Sequence, residues 1–281
     1  MGKIWFGAAG NPVNFFKSEF RKDRFGVLEW SHKLGLNAQE RQMTYGARMK
    51  EEDATTFGEL AKKFEMALSI HAPYYIVLTS EKESVLENSK KEMLKTCNLA
   101  KIMGAKKIIF HPGFGSDVKK VIRNLNIIEK DKPKEVMIHP ETMGKISQLG
   151  SLNDVITLCE NTECLPCIDF GHLYARSLGH LKTEEEFRKV LVEIEKRLGK
   201  EVLRNLHCHF YPVDFTDKGE KVHRAVMEKN VFPRFEPFGK LIAEFEMTPT
   251  LISESKNSQE IGALAMKQTM EKLFAQKLGA T

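Results

Sequence analysis

The feature that most constrains this chain is an alternation that runs from end to end. Short β-like runs are separated by amphipathic helical stretches, eight times over, with no break in composition. Strands are predicted at Lys3–Gly7, Ala38–Met43, Ala67–His71, Lys106–His111, Glu135–Glu141, Pro166–Phe170, Asn205–Phe210 and Pro249–Glu254. Helical periodicity falls between them, at Glu51–Phe64, Glu83–Met103, Asp117–Glu129, Ser151–Glu160, Thr183–Leu198, Pro237–Phe245 and Ser258–Phe274. Several strands are almost continuously apolar, as required when helices cover the outside of a parallel sheet. The fold class expected is therefore α/β, a single (β/α)8 TIM barrel occupying residues 1–281 as one domain. Two connections are long, Asn11–Glu29 after the first strand and Tyr211–Arg234 after the seventh, and both read as loops on the catalytic face.

Composition narrows the function classes. Charged residues make up 29% with both signs mixed, and the hydrophobic fraction of 42% is ample for a large core. The longest apolar runs have the length of a barrel strand, so no membrane partner is expected. The opening Met1-Gly2-Lys3-Ile4-Trp5-Phe6-Gly7 reads as a strand and not as a secretion signal, which makes the cytoplasm the expected compartment. A monomer is the favoured assembly. A net charge of +5 is compatible with a polyanionic partner without demanding one. The five cysteines are irregularly spaced, and Cys164 and Cys167 form a C-x-x-C with no second pair, so neither a disulfide framework nor a zinc ribbon is expected.

The chemistry lies where polar residues terminate apolar strands. His71, His111, Glu141, Asp169, His207 and Glu254 each sit at or near the end of a predicted strand, six strands of the eight. In a barrel all strand C-termini converge on one rim, so these residues should face one bowl, with His172 and His223 within reach. Taken singly, a strand-end histidine is more often a hydrogen-bonded structural residue, and a strand-end carboxylate more often a helix cap. Taken together, several carboxylates in one pocket are costly unless a cation offsets them. Mixed histidine and carboxylate donors suit zinc, manganese or iron better than calcium or magnesium.

Six segments occur in order along the chain: His71-Ala72-Pro73-Tyr74-Tyr75, Phe110-His111-Pro112-Gly113, Pro140-Glu141-Thr142-Met143-Gly144, Cys167-Ile168-Asp169-Phe170-Gly171-His172, Leu206-His207-Cys208-His209 and Ser253-Glu254-Ser255. In this order they resemble the endonuclease IV family of apurinic/apyrimidinic endonucleases, within the xylose-isomerase-like barrel superfamily. The resemblance implies a cluster of two or three metal ions, zinc with manganese as the alternative. His71 and His111 would hold one ion and share a bridging Glu141 with a second. Asp169, His207 and Glu254 would complete the second, and His172 and His223 would hold the third. It further implies cleavage of damaged duplex DNA 5′ to an abasic site, leaving a 3′-hydroxyl, with Glu141 or Glu254 orienting the attacking hydroxide. Tyr74 and Tyr75 match the place where the family inserts side chains into DNA, and Arg48, after the second strand, is a candidate DNA contact by position alone.

The chain departs from the family in one respect. The family pattern at the third ion is Asp-x-His, but Lys221 stands two residues before His223, with Glu220 three before and Asp214 and Asp217 further back. A sugar isomerase or epimerase of the same superfamily, working on one or two divalent ions with Glu141, Asp169, His207 and Glu254, is the main alternative. A metal-containing barrel that grips nucleic acid without cutting it is the third.

Overall fold

Eight of the apolar runs pair side by side as parallel strands: β1 (Trp5–Ala9), β2 (Ala38–Gln42), β3 (Ala67–His71), β4 (Lys107–Phe110), β5 (Met137–Pro140), β6 (Cys167–Asp169), β7 (His207–His209) and β10 (Thr250–Ser253). The computed structural model describes residues 2–279; Met1 and residues 280–281 of the expected span lie outside. The order in the sheet is β5-β4-β3-β2-β1-β10-β7-β6, and a parallel bridge between Glu141 and Cys167 carries the ring almost to closure between β5 and β6. The expected barrel is thus present, with every predicted strand in place. The first strand is displaced by two residues, because Gly7, Ala8 and Ala9 pair with Ala38, Gln39 and Glu40. Gly7 is obligatory there: a Cβ would lie 2.5 Å from the Ala38 carbonyl oxygen.

The intervening helices are α1 (Val27–Lys33), α2 (Glu51–Lys63), α3 (Glu83–Met103), α4 (Val118–Asp131), α5 (Leu152–Glu160), α6 (Phe170–Arg176), α7 (Glu184–Leu198), α8 (Lys200–Arg204), α9 (Phe235–Glu244) and α10 (Gln259–Gly279). Their ends follow local chemistry. Ser151 with Asp154 and Thr183 with Glu186 form capping boxes, and Gly104 ends α3 in the left-handed region. Apolar faces pack into two large clusters, one around Phe57, Ile70, Met93 and Ile108, the other around Phe170, Phe187, Phe238 and Leu251. Among the described residues no helix is long and apolar enough to cross a membrane.

The two long connections differ from expectation. Asn11–Glu29 contains two 3-10 turns and the start of α1. Tyr211–Arg234 holds an antiparallel hairpin, β8 (Val213–Thr216) and β9 (Gly219–His223), standing above the barrel mouth. The alternation Val213-Asp214-Phe215-Thr216 and the turn Asp217-Lys218-Gly219 encode it, although the charged residues make the segment look like loop.

Candidate metal centre

Strand register decides which polar residues share a level. Asp169 of β6 pairs with His209 of β7, and His209 with Ile252 of β10; one pleat period lower, His207 pairs with Cys167 and Thr250. Side chains two apart on a strand point the same way, so both histidines face the barrel interior at different depths. The upper one, His209, joins the cluster. Its Nδ1 lies 2.9 Å from Glu141 Oε1, 3.7 Å from Asp169 Oδ2 and 3.8 Å from Glu254 Oε1. His207 instead donates from Nε2 to Glu40 Oε2 at 3.0 Å, beneath the cluster. In the second group His209 therefore stands where His207 was expected, because the register sets His209, not His207, opposite Asp169; His207 groups instead with Cys167 and His209.

Five groups of donor atoms lie within 4.8 Å of one another among the described residues, and three of them hold the expected site residues: His71, His111 and Glu141; Glu141, Asp169 and His209, with Glu254 beside them; and His172, Glu220 and His223; the other two, Cys167 with His207 and His209 and Glu40 with His209 and Glu254, share His209. Glu141 is common to the first two. Its Oε2 lies 3.2 Å from His71 Nε2 and 3.1 Å from His111 Nε2, while its Oε1 faces His209. In the third group Glu220 takes the position left open by Lys221, with Oε2 3.2 Å from His172 Nε2 and Oε1 3.2 Å from His223 Nε2. Main-chain carbonyls aim these rings. Nδ1–H donates to Ala72 in His71, to Thr142 in His172 and to Glu254 in His223, leaving Nε2 toward the bowl in each.

The hairpin and the β5–α5 loop deliver the third group together. Glu220 N–H donates to the Gly144 carbonyl, Ile146 N–H donates to the Lys218 carbonyl, and Arg176 holds the loop through the carbonyls of Lys145 and Gln148. A Cβ on Gly144 would meet Glu220 Oε2 and His172 Cδ2 at 2.9 Å, so only glycine admits both side chains.

The electrostatics are those of a cation site. Burial opposes charge on every member, yet the carboxylates beside them hold His71, His209 and His223 above the usual imidazole range and lift His172 to about 10. Burial resists ionisation of Glu141 and Glu220 too, and their histidine neighbours nevertheless keep both below the usual carboxylate range. Glu254 is raised by burial and by the charges of Glu141 and Asp169. The carboxylates thus borrow protons that a cation would displace. Asp169 gives one oxygen to the main chain of His172, and its other oxygen, Oδ2, is buried without a hydrogen-bond partner. An orphaned buried carboxylate oxygen facing imidazole nitrogens fits a nitrogen-and-oxygen metal site.

Around this bowl lies a cavity of about 360 Å³ whose lining includes Tyr74, Phe114, Lys145 and Lys221. Tyr74 is half exposed, its ring 5.2 Å from that of His111 and 5.5 Å from that of His71. Tyr75 does not enter the bowl; its hydroxyl and the Arg48 guanidinium close over Gly46. His139 lies below, donating from Nδ1 to the Pro166 carbonyl. Sequence reasoning missed Glu40, which is fully buried against His207 and His209. A glutamate in the polar run Gln39-Glu40-Arg41-Gln42 of a predicted inner strand was its signal.

Fold and site together define a parallel barrel with an acid-and-histidine bowl at the C-terminal rim of its strands. The chain belongs to the xylose isomerase-like TIM barrel family, whose family model matches residues 28–276. It is 31% identical over 275 residues to an uncharacterized protein of Methanocaldococcus jannaschii, covering 93% of this chain and 95% of that one. It is 27% identical over 177 residues to a probable endonuclease 4 of Aquifex aeolicus, covering 59% and 62% of the two chains. Among solved structures, endonuclease IV from Thermus thermophilus superposes with a TM-score of 0.71 at 15% identity, covering 96% of this chain and all of that one. A D-tagatose 3-epimerase-like protein superposes with a TM-score of 0.65, also at 15% identity, covering 97% and 99%. Both likenesses speak to fold alone.

Proposed function

We propose that this chain, acting as one barrel unit, is a metal-dependent phosphodiesterase of the endonuclease IV type that hydrolyses duplex DNA 5′ to an abasic site and leaves a 3′-hydroxyl. The observation that carries the reading is the presence of three abutting donor groups in one bowl. The sugar enzymes of the superfamily need only a set such as Glu141, Asp169, His209 and Glu254; that set is present and supports an epimerase or isomerase as the second reading. His71 with His111, and His172 with Glu220 and His223, are surplus to it.

His71, His111 and Glu141 would hold one ion, Glu141, Asp169, His209 and Glu254 a second, and His172, Glu220 and His223 a third. The donor set favours zinc, with manganese the alternative. Ions bound there supply positive charge that brings the pKa of water to about 7 and offsets charge building on a phosphodiester. The chain's own residues supply the rest. Glu254, at the edge of the second group and beside His223, is placed to orient the attacking water. Tyr74 offers a half-exposed ring at the mouth for a base or for the gap left by a missing one. Lys145 and Lys221 line the same mouth, where they would meet backbone phosphates.

Metal content and a paired assay test this reading. Mass spectrometry of the loaded protein should give three ions per chain, with activity on an abasic duplex and none on ketoses. One or two ions with ketose turnover would establish the sugar reading instead.

A further inference from the structure

His209 differs from its companions in the cluster. His71, His172 and His223 anchor Nδ1 on a main-chain carbonyl and turn Nε2 inward. His209 turns Nδ1 inward, and its Nε2 makes an ion-pair contact of 3.0 Å with Glu40 Oε1 that is not aligned as a hydrogen bond. A neutral imidazole carries one N–H, so whichever group takes that hydrogen decides which nitrogen keeps a lone pair.

Glu40 is built to make that choice. It is fully buried on β2, and its other oxygen, Oε2, accepts from His207 Nε2 at 3.0 Å and from Ser69 Oγ at 2.8 Å. Those two contacts restrain the carboxylate, and its Oε1 faces His209. The His207–Glu40–His209 stack accounts for two inward-facing histidines in His207-Cys208-His209: the upper enters the cluster and the lower braces its support. Glu40, His209 and Glu254 also form a donor group, but Gln42 Nε2 bridges Glu40 Oε1 and Glu254 Oε1 at 3.3 and 3.4 Å, which favours Glu40 as an outer partner over a ligand.

We propose that Glu40 is a positioning residue for the metal centre: braced by His207 and Ser69, its carboxylate faces Nε2 of His209 as the charge partner on that side and leaves Nδ1 as the nitrogen that joins Glu141, Asp169 and Glu254. The proposal rests on the metal-centre part of the reading above and not on the identity of the substrate. A ligand's outer partner typically contributes about 10–100-fold in metal affinity. Glu40→Gln keeps the shape but removes the charge that faces His209 and must turn a donor amide toward one of the groups that now donate to the carboxylate.

The test is zinc titration against a chromophoric chelator, with stoichiometry by mass spectrometry, on the wild-type protein, Glu40→Gln and Glu40→Ala. The expected result is one zinc equivalent bound about 10–100-fold more weakly in both variants, with the other equivalents unchanged and the unfolding transition of Glu40→Gln still cooperative. Wild-type affinity at every site in Glu40→Gln would overturn the proposal. Imidazole nitrogen NMR of the zinc-loaded wild-type protein gives a second readout that requires no variant. A protonated Nε2 and metal-bound Nδ1 on His209 support the proposal; a metal-bound Nε2, or an ion on Glu40, overturns it. Zinc binding without DNA incision would remove the nuclease reading and leave this one standing.

Discussion

Asp169 shows how much one side chain is asked to do. One oxygen caps α6 through the main chain of His172, and the other is left buried toward His209 and His172. Glu141 is the counterpart at the centre, with an oxygen for each of two groups. Glu141→Gln should therefore abolish activity and reduce metal content while the unfolding transition persists; an active variant would remove its bridging role. Glu254→Gln should lower kcat by about 10²–10⁴-fold if it orients the attacking water, measured on metal-saturated protein. Tyr74→Ala should cost about 1–3 kcal/mol of duplex binding, read as a raised KM, and leave metal content untouched. At this scale the sequence was legible for residues at true strand ends, such as His71, His111 and Glu141. It did not separate His207 from His209, because a pleat period of two offers both to the same interior face, and only the register sets His209 beside Asp169. Glu40 was hidden for a related reason: a buried carboxylate in mid-strand is recognisable only from its partners.

The hairpin β8–β9 is the element that separates the two leading readings, since it carries Glu220 and His223. It is tied to the β5–α5 loop at Gly144 and Lys145, so the third group forms only where hairpin and loop meet. Gly144→Ala places a methyl group against Glu220 and His172. It should cost about 1–3 kcal/mol of stability by overpacking and remove one metal equivalent, leaving the groups around Glu141 filled. Full metal content in that variant would separate the hairpin from the metal centre. The hairpin was partly legible, in that Glu220 stood as the available carboxylate. What sequence could not supply was the antiparallel pairing, with its irregularity at Asp214 and Phe215, that turns Glu220 and His223 toward His172.

At the scale of the whole molecule, the barrel gathers charge from strands far apart in sequence, and its stability should report that charge. In chelated protein Glu40 titrates below its ordinary value of 4.5, so its contribution is full above that value and is lost as pH falls. His172 titrates near 10 against an ordinary 6.5, so its contribution is full below 6.5 and is lost as pH rises through about 10. The chelated protein should thus be most stable between about 4.5 and 6.5. Zinc should shift the optimum upward, because binding needs neutral histidines. Thermal unfolding across pH, with and without chelator, checks this, and a chelated Tm that does not change from pH 6.5 to 10 would contradict it. The fold itself was readable because eight buried strands need eight apolar runs; the bowl was less so, because its members are fixed by register and by a hairpin. The most direct test of nuclease activity is incubation of the protein with a duplex carrying a single abasic site. The prediction is a single cut 5′ to the lesion leaving a 3′-hydroxyl, abolished by chelation and restored by zinc; an intact duplex after incubation with fully metal-loaded protein would contradict it.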